Sequence, residues 1–183
     1  MEPRIALGMC ERYIEGDVYE YFSNDLFMGK KTRDEVKLAI LSTLYGSAPA
    51  SMEEKVMREA IREKFQIASW ERKLKKELES CGHITNLFGR KLVPKTDKRH
   101  VLYNNLIQST AADASILAFS DLVSSLRSKG SRVMPLFIIH DALIVDIPKC
   151  EFQRFLKNKT GIKIEKPDVF LPLKSNILSS PNI

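Results

Sequence analysis

"PLFIIHDALIVDIP", residues 135–148, is an apolar run rich in Ile, Val and Phe that is interrupted by His140 and Asp141 and framed by Pro135 and Pro148. β-Branched and aromatic residues bounded by prolines read as two short buried strands joined by a tight turn, with His140 and Asp141 at the turn. A strand pair here decides the fold class, because the segments before it carry helical periodicity. The residues alone leave Asp141 two roles. It can be a turn former whose carboxylate bonds nearby backbone groups, or a carboxylate displayed for chemistry.

Upstream, "NNLIQSTAADASILAFSDLVSSLRSKG" (104–130) predicts a long, mostly buried helix ending at Gly130, and "GHITNLFGRKLVP" (82–94) alternates as a hairpin does. Residues 51–80 are charge-rich with a helical period, a solvated helical pair opened by Ser51 and Glu54 at capping-box spacing. "TRDEVKLAILSTLY" (32–45) has a Thr N-cap, acidic residues in its first turn, an apolar stripe at Val36, Ile40 and Thr43-Leu44, and Gly46 as its stop. "GDVYEYF" (16–22) reads as a Gly-Asp break before a helix. Downstream, a short helix at about 149–159 and a final strand near "DVFLPLK" complete the order. Helices, hairpin, long helix, strand pair, helix and strand make an α+β fold in which helices segregate from an antiparallel sheet.

The chain has 183 residues, 44% of them hydrophobic, enough to bury a core in one domain or two small ones. Lys plus Arg outnumber Asp plus Glu by 29 to 23, a net charge of +6 that suits a polyanionic partner. Cys10, Cys81 and Cys150 are odd in number and lack CxxC spacing, so neither a disulfide framework nor a zinc site is expected. No apolar run approaches the ~18 residues of a membrane span, and "MEPRIALG" lacks the regions of a signal peptide. A cytoplasmic protein without a membrane partner is the expectation.

Arg33, Lys37, Leu41 and Tyr45 recur every four residues and so share one face of the 32–45 helix, about 6 Å between neighbours. Two cations and an aromatic on one face can grip a phosphate chain and meet a base. Cations at a helix N-terminus oppose the macrodipole, a small cost that a bound anion offsets.

"RDEVKLAILSTLYG" resembles the nucleotide-binding finger helix of the family A (Pol I-like) DNA polymerases, whose pattern is Arg, Lys four later, an aromatic four after that, then Tyr-Gly; four of the five marked positions match. "NNLIQSTAAD" is similar to that family's palm helix, "IIHDALIVDI" to its last catalytic motif, "NLFGRKL" to its linking hairpin, and "EPRIALG" to the tail of its first catalytic motif in phage-type members. The motifs occur in the family's order and cover nearly all of the chain. The resemblance implies an antiparallel palm sheet with packed helices plus a mostly α-helical fingers subdomain. Residues 1–30 would be a palm remnant, 31–103 the fingers and 104–183 the palm.

What it further implies is template-directed nucleotidyl transfer with two Mg²⁺ ions, one protein carboxylate for them being supplied here by Asp141. His140 would hold the primer end. Lys37 would be catalytic and, with Arg33, contact the triphosphate; Leu41, Tyr45, Glu2 and Tyr19 would complete the nucleotide site, with Tyr45 guarding the templating position and Glu2 excluding the ribose 2′-hydroxyl. Asn104, Gln108, His100 and Arg90 would join His140 in contacting template and primer. The partners implied are template-primer DNA and dNTPs.

The departures from the pattern are as specific. Leu41 stands where the family has an aromatic, Tyr19 where a histidine is common, His100 where an arginine often lies, and Ala142 where a carboxylate follows His-Asp. The first motif's aspartate should lie five residues before Glu2, outside the sequence. The expectation is therefore a C-terminal polymerase part that needs an upstream polypeptide for the missing aspartate, the thumb and any exonuclease. Two alternatives remain: a non-catalytic nucleic-acid-binding remnant, and an HD-type metal-dependent phosphohydrolase using His83 or His100 with His140-Asp141 and Asp168.

Overall fold

A computed structural model describes residues 17–139 and 142–151 and the strands at 162–165 and 168–171. Its elements, in chain order, are α1 (Val18–Phe27), α2 (Arg33–Tyr45), α3 (Met52–Lys64), α4 (Ile67–Cys81), β1 (Ile84–Thr85), β2 (Lys91–Leu92), α5 (Arg99–Ser128), β3 (Met134–Ile139), β4 (Ala142–Asp146), β5 (Ile162–Glu165) and β6 (Asp168–Leu171). The class is α+β: mostly helices, with three two-stranded sheets among the described residues, β1-β2, β3-β4 and β5-β6, all antiparallel.

The chain divides into two units, one running to Ala111 and one from Ala112 onward. In the first, Val36, Ile40, Thr43 and Leu44 of α2 are buried as their spacing predicts, together with Phe22, Ile61, Ile67, Leu74, Leu102 and Ile107 from the other helices. Local chemistry sets the ends of α2. Thr32 and Glu35 form a complete capping box, and Gly46 closes the helix in the left-handed conformation. For α3 only half of the expected box forms. Ser51 caps Glu54, but the Glu54 carboxylate turns to the Ala50 amide (2.7 Å) and the Ser42 hydroxyl (3.0 Å). The charge-rich 51–80 segment is indeed two helices, broken where Gln66 adopts a positive φ of 49°.

The β1-β2 hairpin is built by its own loop. Asn86 Oδ1 accepts from the amides of Phe88 (3.0 Å) and Arg90 (2.9 Å), and Gly89 takes the positive φ of 83° that turns the chain back. The long helix starts earlier than its apolar period indicated, at Arg99 rather than near Asn104. The Lys98 carbonyl accepts from Val101 (2.9 Å) and Leu102 (3.1 Å), which winds the polar residues before Asn104 into the first turn.

In the second unit β3 and β4 pair as expected, from Met134↔Asp146 to Ile139↔Ala142, with a bulge between Pro135 and Phe137. His140 and Asp141 lie outside the described residues. The expected burial is not met: β3 is exposed throughout and β4 is at most partly buried. Leu143, Val145 and Ile147 pack on Leu122, Val123, Leu126 and Val133. Phe137 and Ile139, on the other face by strand alternation, are 53% and 50% exposed, and every β3 residue is open to solvent. A run apolar on both faces calls for a layer on each side, and the described residues supply one. The C-terminal strand near Asp168 is one of a pair, Ile162↔Leu171 to Glu165↔Asp168. The helix expected at about 149–159 is described only at its beginning, through Glu151.

No helix of the described residues is long and apolar enough to cross a membrane.

Candidate nucleotide and nucleic-acid site

The four-residue spacing on α2 puts Arg33 and Lys37 on its exposed side, Leu41 partly buried, and Tyr45 45% exposed at the last turn. What the spacing could not show is the partner of the two cations. Tyr19, in the first turn of α1, brings its ring under both: the Arg33 guanidinium carbon lies 5.3 Å from the ring centroid and Lys37 Nζ 6.0 Å. Three residues expected at a nucleotide site thus converge.

Asp17 fastens this corner. Its Oδ1 caps α1, accepting from the amides of Tyr19 (2.8 Å) and Glu20 (3.3 Å), and its Oδ2 accepts from Arg33 Nε at 2.8 Å and forms an ion pair with Nη2, also at 2.8 Å. Arg33 Nη1 reaches Asp34 at 3.1 Å. Burial pushes the Asp17 carboxyl up, but the bonds from Arg33 and from the two amides outweigh it and leave the group below its ordinary range. The Asp17 bond in turn holds the Arg33 guanidinium above its ordinary value. Sequence reading took Asp17 as a helix-start signal only.

A second group of site residues meets at the other end of α2. A Cβ placed on Gly46 would fall 2.8 Å from His100 Cδ2, so the ring at the start of α5 lies directly on the backbone next to Tyr45. Arg58 of α3 donates to the Ser42 carbonyl (3.2 Å) and to the Ser47 carbonyl, and Glu54 pairs with it at 3.9 Å. The C-terminal turn bearing Tyr45 is therefore held by a glycine cap, an arginine and a histidine ring. Sequence reading gave Glu54 a capping role only and missed Arg58, because the Ser42 partner of both lies on another helix.

Gly46→Ala tests this packing. Left-handed backbone costs an L-residue about 1–2 kcal/mol and the new methyl must move the His100 ring, so a destabilisation of about 1–3 kcal/mol is expected in urea unfolding. Adding His100→Ala should recover the steric part alone. A neutral Gly46→Ala would show that His100 does not press on this turn.

His100, Asn104 and Gln108 follow one another by four along α5, with His100 and Gln108 exposed and Asn104 half-buried, while Leu102, Tyr103, Leu106 and Ile107 face the core. Arg90 leans across from the hairpin, donating from Nη2 to the Ser109 carbonyl at 3.3 Å beside Gln108. These are the residues expected to contact template and primer, and they form a polar stripe flanked by a cation. Glu2, His140 and Asp141 lie outside the described residues.

Among the described residues no group of three or more His, Cys, Asp or Glu side chains is gathered as a metal site. A carboxylate is the hard oxygen donor that a magnesium ion takes from protein, so Asp141 suits the expected ion in donor type. For the phosphohydrolase alternative, His83 bonds the Cys81 carbonyl at 2.9 Å through Nδ1 and His100 rests on Gly46. Nothing in this geometry favours it.

No protein-family model matches the chain, and no curated protein matches it. Among solved structures the chain is similar to the POL domain of Pol1 from M. smegmatis, a structure in complex with DNA primer-template and dNTP, with a TM-score of 0.60 and 18% sequence identity. The similarity covers 77% of this chain and 30% of that one, so the chain spans under a third of its neighbour's length. At this identity the likeness shows the fold, which is that of part of a polymerase domain.

Proposed function

We propose that the chain is the fingers and much of the palm of a family A, phage-type DNA polymerase, acting in template-directed nucleotidyl transfer. The observation that carries this reading is the convergence of Arg33 and Lys37, two cations of one helix, over Tyr19, with the His100 ring packed at the far end of that helix on Gly46, the residue next to Tyr45. Arg33 and Lys37 bind the triphosphate, Tyr45 bounds the base pair, and His100, Asn104, Gln108 and Arg90 line the path of template and primer. Leu41 gives an aliphatic contact in place of a stacking ring. Glu2 excludes the ribose 2′-hydroxyl and His140 holds the primer end. Asp141 holds magnesium, which when bound neutralises charge on the phosphates and the attacking oxygen.

A further carboxylate, the thumb and any exonuclease come from polypeptide outside these 183 residues, in the same chain or a separate one. The exposed apolar residues of β3 support added structure in that region, since a lone two-stranded hairpin is marginally stable and open apolar patches mark contact sites.

The experiment is primer extension with primer-template, dNTPs and Mg²⁺, the chain being assayed alone and with a polymerase polypeptide carrying thumb and first-motif aspartate. Extension only in the combined reaction is expected. Primer-template binding that weakens with salt but no extension with any such polypeptide would leave a nucleic-acid-binding remnant instead.

A further inference from the structure

We propose that Asp17 is a resident competitor for the cationic face of α2: its carboxylate occupies the fork of Arg33 that a phosphate of the ligand would take, and the ligand binds by displacing it. The inference rests on the reading of Arg33 and Lys37 as polyphosphate contacts and adds what regulates their affinity.

The geometry is that of an occupied anion site. Arg33 offers Nε and Nη2 as a fork, the arrangement that matches either a carboxylate or a phosphate, and both donors converge at 2.8 Å on Asp17 Oδ2. The remaining nitrogen, Nη1, goes to Asp34. Lys37 differs, for among the described residues no carboxylate is paired with it, and its ammonium lies over the Tyr19 ring. One of the two cations is thus engaged by a carboxylate and the other is not.

Exposure makes the engaged pair displaceable. The Arg33 and Asp17 side chains are 41% and 30% exposed, so solvent screens their attraction and it is weak. A chain of linked phosphates brings several charges at once and can bridge Arg33 and Lys37 together, which a single carboxylate cannot do. Displacement leaves α1 intact, because the cap is made by the other oxygen, Oδ1. The freed carboxylate then stands beside the anion and repels it. Asp17 lowers affinity twice over, by competing before binding and by repulsion after it.

Asp17→Asn keeps a capping oxygen, since Asn caps as well as Asp, and removes the charge. Inorganic tripolyphosphate titrated into the full chain by calorimetry at low salt is the probe, with Asp17→Ser as a second capping variant should Asn fold poorly. Both variants are expected to bind tripolyphosphate about three- to ten-fold more tightly than the unmodified chain. Asp25→Asn removes the same charge from α1, but from a pair with Lys64 at 2.8 Å, and should shift Kd by less than about two-fold. Unchanged or weaker binding in the Asp17 variants, or equal tightening in Asp25→Asn, overturns the competitor role. Lys37→Ala separates the two claims. Weakened binding there without an effect at Asp17 overturns the competitor and keeps the polyphosphate site, whereas binding indifferent to Lys37, or none in any variant, overturns both.

Discussion

Asp141→Asn is expected to abolish nucleotide incorporation by the completed enzyme, by more than about 10³-fold, while primer-template affinity changes by less than about three-fold. The loss follows from charge. An amide of the same shape keeps the backbone and the volume, but it withdraws the one acidic ligand proposed for this motif, and such electrostatic stabilisation is worth several kcal/mol, each ~1.4 of them a factor of ten. Binding should survive because the contacts proposed for it lie elsewhere: His100, Asn104 and Gln108 on α5 and Arg90 on the hairpin, with a net charge of +6 over the whole chain. Single-turnover extension and fluorescence anisotropy measure the two quantities on one preparation. Turnover that survives in Asp141→Asn would return Asp141 to the role of turn former.

How much of this was legible in the sequence depends on the distance over which each feature is specified. The limits of α2 were readable because Thr32, Glu35 and Gly46 act within a few residues of themselves, and α2 forms with the buried stripe its spacing predicts. The cationic face was readable for the same reason, since a four-residue period needs no tertiary information. What holds that face was not. Asp17 and Arg33 are separated in the chain by all of α1, and a Gly-Asp pair before a helix looks the same whether its second oxygen meets an arginine or water. His100 against Gly46 joins elements still farther apart. The strand pair shows the opposite limit. Its pairing followed from composition, but which faces are covered is a property of neighbours, and apolar character on both faces does not say that both are filled.

The two cations of α2 are unequal, and this orders the last prediction. Lys37→Ala is expected to lower incorporation by the completed enzyme by about 10²–10³-fold, the range for removing one donor from developing charge. α2 itself should hold, because Lys37 is exposed and alanine is the best helix former. The unfolding free energy should therefore move by no more than about 0.5 kcal/mol, which separates lost chemistry from lost fold. Arg33→Ala should show a different pattern. It removes the proposed phosphate contact but also releases Asp17 from its pair and strips one cation from the Tyr19 ring, so loss of stability should accompany loss of activity. Among the described residues Lys37 has no such structural partner beyond the ring at 6.0 Å, and its replacement isolates the proposed contribution to phosphate binding. A Lys37→Ala enzyme that incorporates nucleotides at the unmodified rate, with its fold intact, would remove α2 from the nucleotide site and leave its cations as a solvated helix face.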